Sequence, residues 1–202
     1  MRSEHFITQE FRLHTRLLIV AASVAAAAGA GSIAAARPAP VMFTLTSPTI
    51  MEGGTMGMDH VFNSFGCTGK NISPALSWSG APEGTRSFAI TAYDPDAPTG
   101  SGWWHWTVAN IPASVTSLAA GAGSTTSALP KGAVEGRTDF GKPGYGGPCP
   151  PKGDKPHRYV FTVFALKVER LALSGEASGA MYGYNLYGNM LAKASLTALL
   201  GR

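Results

Sequence analysis

Charged residues are scarce in this chain of 202 residues: they make up 14% of it, whereas 45% of the residues are hydrophobic. This composition supplies ample apolar side chains for a core, and the length suits about one domain. The formal net charge is only +4, and the basic residues are spread along the chain rather than gathered in a stripe. Proteins that bind nucleic acid need such a stripe, so nucleic acid is excluded as a partner.

Long apolar runs are also missing, and the strongest one, Leu17–Ala22, is shorter than the roughly 20 residues that a membrane span needs. It follows two arginines and fades into small residues. These features are typical of an export signal, so we predict that residues 1–36 are removed by cleavage after Ala36, with Ala30 as second choice. A retained anchor is the alternative. Residues 37–202 would then form a single exported domain without a stable membrane span.

Cysteine occurs only twice, as Cys67 and Cys149, and both residues follow the predicted signal. No cysteine follows the apolar run directly, which argues against lipidation. In an oxidising compartment an even pair predicts one disulfide bond, which would stabilise the fold by about 2 to 4 kcal/mol. Two buried thiols are the alternative interpretation.

Several catalytic signatures are absent. No G-x-S-x-G motif occurs, and nothing marks Ser73 or Ser101 as an activated nucleophile. The histidines of the predicted domain, His60, His105 and His157, lack the short spacing that identifies a metal site. Two of them could still join two aspartates around a divalent metal, so a metal-dependent hydrolase is kept as the least favoured alternative. We predict neither a bound metal nor a cofactor.

What the sequence does contain is a series of short segments with the composition of β-strands. They are Val41–Thr46, Leu76–Trp78, Ser87–Tyr93, Trp103–Val108, Ala133–Asp139 and His157–Leu166. Two helices are predicted after them, Ser174–Met181 with Ser174 as N-cap and Tyr184–Leu200 from its apolar spacing. The segment Ala113–Gly132 shows no periodicity and is predicted to be a long loop. Strands followed by helices predict a mainly antiparallel β domain with helices at one edge.

The stretch Asp94–Pro112 holds the most distinctive side chains. Its start is too rich in proline for a helix or a central strand, so a rigid loop at a strand end is expected. In the strand that follows, successive side chains should point to opposite faces. One face would hold Trp103, His105 and Thr107, and the other Trp104, Trp106 and Val108.

A pocket is expected where this loop meets the strand that begins at His157, whose Tyr159, Phe161 and Val163 share the face of the histidine. Its polar groups would be Asp94, Asp96, His105 and His157, with backbone N–H groups from Gly146, Gly147 and the turn Pro148–Pro151. Imidazoles bonded to carboxylates stay protonated to higher pH, which suits a small anion such as phosphate. Because carboxylates repel an anion, we expect one aspartate to orient a histidine and the other to hold the loop, which leaves the N–H groups for the ligand. Alternatively, the aspartates cap turns and the histidines are structural.

Ordered motifs in the chain resemble the phosphatidylethanolamine-binding protein (PEBP) family, in particular its bacterial Raf kinase inhibitor-like YbhB/YbcL branch. The motifs stand at Asp94–Pro98, Trp103–Trp106, Val108–Pro112, Gly147–Gly153 and His157–Tyr159, and the bacterial branch adds Asn71–Pro74 and Arg137–Gly141. The resemblance implies a mainly β fold: a Greek-key antiparallel β-sandwich with short flanking helices and a C-terminal helix. Related chains often carry a histidine where Asn189 stands here, so the closing helix is not expected to bind ligand through Tyr184 or Tyr187.

The resemblance also implies a non-enzymatic binding protein, periplasmic or secreted, whose pocket takes a small anion or a phospholipid head group. Carried over by motif, the ligand-binding residues are Asp94, Trp103, His105, Cys149, His157 and Tyr159. The supporting residues are Asp96, Pro98, Tyr145, Gly147 and Pro150. The alternative is an interaction or inhibitor protein that acts on a partner enzyme. The oligomeric state is left open.

Overall fold

The computed structural model describes residues 42–124 and 128–202, all within one compact unit, Pro40–Arg202. The predicted export signal, both of its cleavage sites and Val41 lie outside the described residues. In chain order the elements are β1 Thr44–Thr46, β2 Leu76–Ser79, β3 Ser87–Asp94, β4 Trp103–Pro112, β5 Ser117–Leu118, β6 Val134–Glu135, β7 His157–Leu166, α1 Gly179–Asn189 and β8 Met190–Leu200. The strands predicted from composition are therefore confirmed, and β5 lies in a segment predicted to be loop.

Two antiparallel sheets form the sandwich, one with the order β1-β2-β5 and the other with the order β6-β4-β3-β7-β8. β3 lies at the centre of the larger sheet, covered on both faces, which explains its nearly continuous apolar sequence. Side chains from both sheets form the main core, including Leu76, Trp78, Ile90, Trp106 and Phe161. The predicted mainly β, antiparallel fold is confirmed.

Helix α1 covers the outer face of the larger sheet and completes a second, smaller core with Phe164 and Leu166 of β7. Ser178 caps the helix, because its hydroxyl accepts a hydrogen bond from the backbone N–H of Met181 at 3.3 Å. Buried Tyr182 and Leu186 form the inner side of the helix. The predicted helix near the C-terminal end is thus present.

The predicted helix boundaries were wrong, however. Ser174 caps a turn instead, accepting a bond from the N–H of Glu176 at 3.3 Å, and the helix begins only at Gly179. The second predicted helix, Tyr184–Leu200, ends at Asn189, and the remaining residues form strand β8. Leu196 and Ala198 alternate with more exposed neighbours and pack into the main core while pairing with β7. Tertiary pairing outweighed the helical spacing of the leucines.

An irregularity in β4 decides which way its side chains point. In the pairing with β3, Ala92 lies opposite Trp106 and Tyr93 lies opposite Trp104, so His105 is an extra, bulged residue. His105 therefore shares its face with Trp106, and the rings of His105 and Tyr159 are in contact on that side. Strict alternation fails across a bulge, so the prediction that placed Trp106 and Val108 opposite His105 was wrong. Thr107, predicted beside His105, lies next to Tyr182 of α1 instead.

Cys67 and Cys149 are joined by a disulfide bond, with their Cα atoms 6.0 Å apart. The bond ties the irregular segment before β2 to the Gly- and Pro-rich loop before β7. This confirms the predicted pairing and excludes the alternative of two buried thiols.

Candidate binding pocket

A cavity of about 160 Å³ lies at the edge of the larger sheet where β3 ends and where β4 and β7 begin. The antiparallel order brings these three strand ends together, since Asp94 pairs with Trp103 and Tyr93 pairs with Val160. All six residues predicted to bind ligand line this cavity: Asp94, Trp103, His105, Cys149, His157 and Tyr159. Two of the predicted supporting residues, Pro98 and Pro150, also line it.

Asp94 organises the polar side of the pocket. It is buried, and its Oδ1 accepts hydrogen bonds from the backbone N–H groups of Asp96 at 2.8 Å and Ala97 at 3.1 Å. Its Oδ2 accepts a bond from Nδ1 of His157 at 2.8 Å. One carboxylate therefore both shapes the proline-rich loop and orients an imidazole. The Nε2 atom of His157 lies 3.4 Å from Oδ2 of Asp154.

Asp96 lies outside the pocket and fastens the loop to β7. Its carboxylate accepts bonds from Nε and Nη2 of Arg158 at 2.9 and 2.7 Å, and from the backbone N–H of the same residue at 2.8 Å. Hydrogen bonding from this guanidinium lowers the pKa of Asp96 to about 2. The carboxylate is thus ionised at any moderate pH and holds the loop that carries Pro98.

His105 is buried beside Phe140 and Tyr159, with ring centroids 5.4 and 5.2 Å away. Its Nδ1 donates to the carbonyl of Gly146 at 2.6 Å, so Nε2 is the nitrogen left for a ligand. Burial lowers the pKa of His105, although the bond to Gly146 and the charge of Asp94 oppose that shift. Of the two pocket imidazoles only His157 is hydrogen-bonded to a carboxylate, so Asp94 orients one histidine while Asp96 holds the loop, as expected.

Nε1 of Trp103 is a buried donor without a hydrogen-bond partner among the described residues, and the buried hydroxyl of Tyr159 makes no hydrogen bond of ordinary length, although it interacts with the carboxylate of Asp94. Burial, and next the charge of nearby Asp94, raise the pKa of Tyr159, so the hydroxyl keeps its proton. Buried donors are normally paired, and an unpaired one costs about 1 to 3 kcal/mol. A ligand that carries acceptor oxygens would supply the missing partner.

The backbone N–H groups predicted to face a ligand are mostly used elsewhere. The N–H of Gly146 donates to the carbonyl of His105 at 2.9 Å, and that of Gly147 donates to Oδ1 of Asn71 at 2.6 Å. Both glycines therefore hold the loop in place, and their predicted role as donors to the ligand was wrong. In the turn Pro148–Pro151 only Cys149 has an N–H group, because the other three residues are prolines. Tyr145 lies behind the turn, where its hydroxyl donates to the carbonyl of His60 at 3.0 Å.

The sequence interpretation missed two aromatic residues of the pocket, Phe65 and Phe140. Phe140 packs edge-on against Trp103, with ring centroids 5.4 Å apart. Its place in the motif Arg137–Gly141 was a usable signal. Phe65 carried a weaker one, since it precedes disulfide-bonded Cys67 by two residues.

Across residues 42–124 and 128–202, no group of three or more His, Cys, Asp or Glu side chains is arranged to hold a metal ion. No helix in that same part of the chain combines the length and the apolar character needed to cross a membrane.

The chain is similar in sequence to known proteins. The sequence matches the phosphatidylethanolamine-binding protein family over residues 46–201. YbcL of Escherichia coli K12 is 58% identical over 156 residues, which cover 77% of this chain and 85% of YbcL. The chain belongs to the phosphatidylethanolamine-binding protein family. A second relative, YbhB of the same organism, is 53% identical over 155 residues, which cover 77% of this chain and 98% of YbhB.

The crystal structure of E. coli YbcL, described as a new member of the mammalian PEBP family, superposes with a TM-score of 0.78 at 56% identity. The superposition covers 79% of this chain and 98% of YbcL. The putative lipoprotein LppC of Mycobacterium tuberculosis H37Rv is 36% identical over 142 residues, covering 69% of this chain and 64% of LppC. The PEBP resemblance and the fold that it implied are therefore confirmed.

Proposed function

We propose that this PEBP-family protein binds a small oxyanion or a phosphoryl group, such as a phospholipid head group, in the pocket beside Asp94. The observation that carries the proposal is the buried Nε1 of Trp103, a donor without a partner among the described residues, beside the protonated hydroxyl of Tyr159 in the same pocket. The backbone N–H of Cys149 is a further donor to oxygen atoms. Nε2 of His105 becomes another when the imidazole is protonated.

The pocket would hold an anion through hydrogen bonds rather than through positively charged side chains. No Lys or Arg is among its described lining residues, and Asp94 would repel an anion. The bond from His157 to Asp94 and the bonds from two backbone N–H groups offset that repulsion locally. We therefore propose a binding protein of modest affinity for anions and no catalytic reaction.

We further propose that residues 1–36 are an export signal and that the mature protein, residues 37–202, is periplasmic or secreted. Three observations support this: the signal-like N-terminal sequence, the disulfide bond and the similarity to a putative lipoprotein.

The first test compares two buried histidines that have the same kind of partner. Nδ1 of His105 bonds to the carbonyl of Gly146 at 2.6 Å, and Nδ1 of His60 bonds to the carbonyl of Ile72 at 2.8 Å, but only His105 lines the pocket. In calorimetric titrations with inorganic phosphate at a pH low enough to protonate His105, where Nε2 is a charged donor, His105→Gln should lower affinity by about tenfold or more, since a lost hydrogen bond to a charged group costs about 1.5 to 3 kcal/mol.

The variant His60→Gln should lose stability to a similar degree yet bind phosphate like the wild-type protein. Equal phosphate affinity in all three proteins, or equal loss in both variants, would refute the pocket as the binding site. Capture experiments with periplasmic extract address the alternative of an inhibitor protein: a partner that His105→Gln retains would favour that alternative.

A further inference from the structure

Phe65 is an unusual residue for the wall of a small pocket. It lines the cavity although 65% of its surface is exposed. Its ring lies 5.4 Å from that of Phe62 and 5.9 Å from that of Phe140. An exposed phenyl ring gains little from burial, so core packing does not explain why it lies at this position.

The backbone of Phe65 is also held in an unfavourable conformation. Its φ is 53°, in the left-handed region, which costs a residue with a side chain about 1 to 2 kcal/mol. Such conformations persist only where the surrounding structure imposes them, and they collect at functional sites. Phe65 is followed by Gly66, also at positive φ, so the chain turns sharply here.

Two separate connections impose this position. The first is the disulfide bond from Cys67 to Cys149, and the sulfur of Cys149 lies 3.5 Å from the carbonyl oxygen of Phe65. The second is the guanidinium of Arg202. Its Nη2 and Nη1 donate to the carbonyls of Phe65 at 3.4 Å and Gly66 at 3.0 Å, and its Nε donates to the carbonyl of pocket-lining Pro150 at 2.5 Å.

Both connections join the Phe65 segment to the Pro-rich loop on the other side of the pocket. Phe65 and Phe140 also line a second, larger cavity, so the two rings separate two spaces. Without the phenyl ring of Phe65, the small pocket would open both toward solvent and toward its neighbour.

We propose that Phe65 is the specificity-determining wall of the pocket, and that Arg202 and the disulfide Cys67–Cys149 are positioning groups that hold it. This inference rests on the proposed oxyanion binding. The wall admits inorganic phosphate and slender phosphate esters and excludes esters whose substituent is bulky next to the phosphorus. Ligand size, rather than charge, is what the wall selects.

The test measures the affinities of inorganic phosphate and phenyl phosphate by calorimetry and compares their ratio between variants. The wild-type protein should prefer inorganic phosphate by about tenfold or more, the range in which a pocket discriminates by size. In Phe65→Ala and Phe65→Asn this ratio should approach one, because phenyl phosphate gains affinity. Arg202→Gln, and reduction of the disulfide with dithiothreitol, should each shift the ratio part of the way.

A stability measurement separates selectivity from a merely structural role. Asparagine tolerates positive φ better than phenylalanine does, so Phe65→Asn should keep or raise the thermal unfolding temperature while losing selectivity. Tyr184→Ala is the control, since this exposed tyrosine lies on α1 and does not line the pocket. It should leave the affinity ratio unchanged.

The outcomes distinguish this inference from the proposed function. If phosphate binds but neither Phe65 variant changes the ratio, the wall is refuted and oxyanion binding stands. If the wild-type protein binds neither ligand while Phe65→Ala binds both, the wall is supported and phosphate binding by the native chain is refuted. If no protein in the series binds either ligand, both proposals fall.

Discussion

His105 owes its properties to burial more than to a charged partner. Burial favours the neutral imidazole, which is why the pKa of His105 is lowered even though the hydrogen bond to the carbonyl of Gly146 opposes that shift. In the neutral form, with Nδ1 donating, Nε2 is an acceptor and cannot donate to an anion. Protonation converts Nε2 into a charged donor, so we expect anion affinity to depend on pH.

Sulfate provides a clean test of that dependence, because its charge does not change between pH 5 and pH 8 while that of phosphate does. Affinity for sulfate should rise as the pH falls below 6.5 toward the lowered pKa of His105, since the protonated fraction grows in that window. In the variant His105→Gln, the sulfate affinity measured by calorimetry should rise less as the pH falls. A profile that is identical in the two proteins would contradict this role.

At the scale of elements, the strand β4 and the helix α1 position the pocket from behind. The bulge at His105 turns the imidazole toward Tyr159, while Trp104 points the other way and packs on α1. A Cβ atom at Gly179 would collide with the indole of Trp104, so the helix can approach β4 closely only because this residue is glycine. Gly188, in the same helix, has no atom within 4 Å of where its Cβ would be.

Substitution of these two glycines measures how much the close approach of α1 to Trp104 contributes to stability. Gly179→Ala should lower the free energy of unfolding by about 1 to 3 kcal/mol through overpacking against Trp104. Gly188→Ala should instead raise it by up to about 1 kcal/mol, because alanine favours the helix and nothing obstructs its methyl group. Urea denaturation followed by circular dichroism measures both. Equal effects of the two substitutions would show that the close approach does not matter.

For the whole molecule, the disulfide is the main covalent constraint on the irregular segments around the pocket. It spans 82 residues of sequence, and closing a loop of that size in the unfolded chain is worth about 4.5 kcal/mol in a chain-entropy estimate. The double variant Cys67→Ala/Cys149→Ala should therefore unfold at a lower urea concentration. Dithiothreitol should shift the wild-type protein in the same direction and leave the variant unchanged. An unshifted midpoint would contradict this estimate.

Export is the other prediction for the whole molecule. When the full chain is expressed in a bacterium, mass spectrometry of the periplasmic fraction should find a protein that begins at Arg37. Ala36→Leu should block cleavage at that site or move it to Ala30, because signal peptidase requires a small residue there. An intact chain in the membrane fraction would favour the retained anchor instead.

Much of the fold and the pocket follows directly from the amino-acid sequence. β7 was predicted with its observed bounds because its β-branched and aromatic residues are uninterrupted. Six of the residues that line the pocket were predicted because they stand in motifs that resemble those of the PEBP family, whereas Phe65 and Phe140 were missed. In an antiparallel sheet the end of β3 and the starts of β4 and β7 meet at one edge, so Asp94, His105 and His157 had to come close once the strands paired in this order.

The rest was decided by long-range pairing, which local sequence does not encode. Residues 190–200 fit a helical pattern in isolation and became a strand because β7 offered an edge to pair with. The bulge at His105 depends on register against β3, and the position of Phe65 depends on Cys149 and Arg202, both more than 80 residues away. The sequence alone thus determined that Asp94, His105 and His157 meet in one pocket, whereas tertiary structure decided which way they point and placed Phe65 and Phe140 as its aromatic walls.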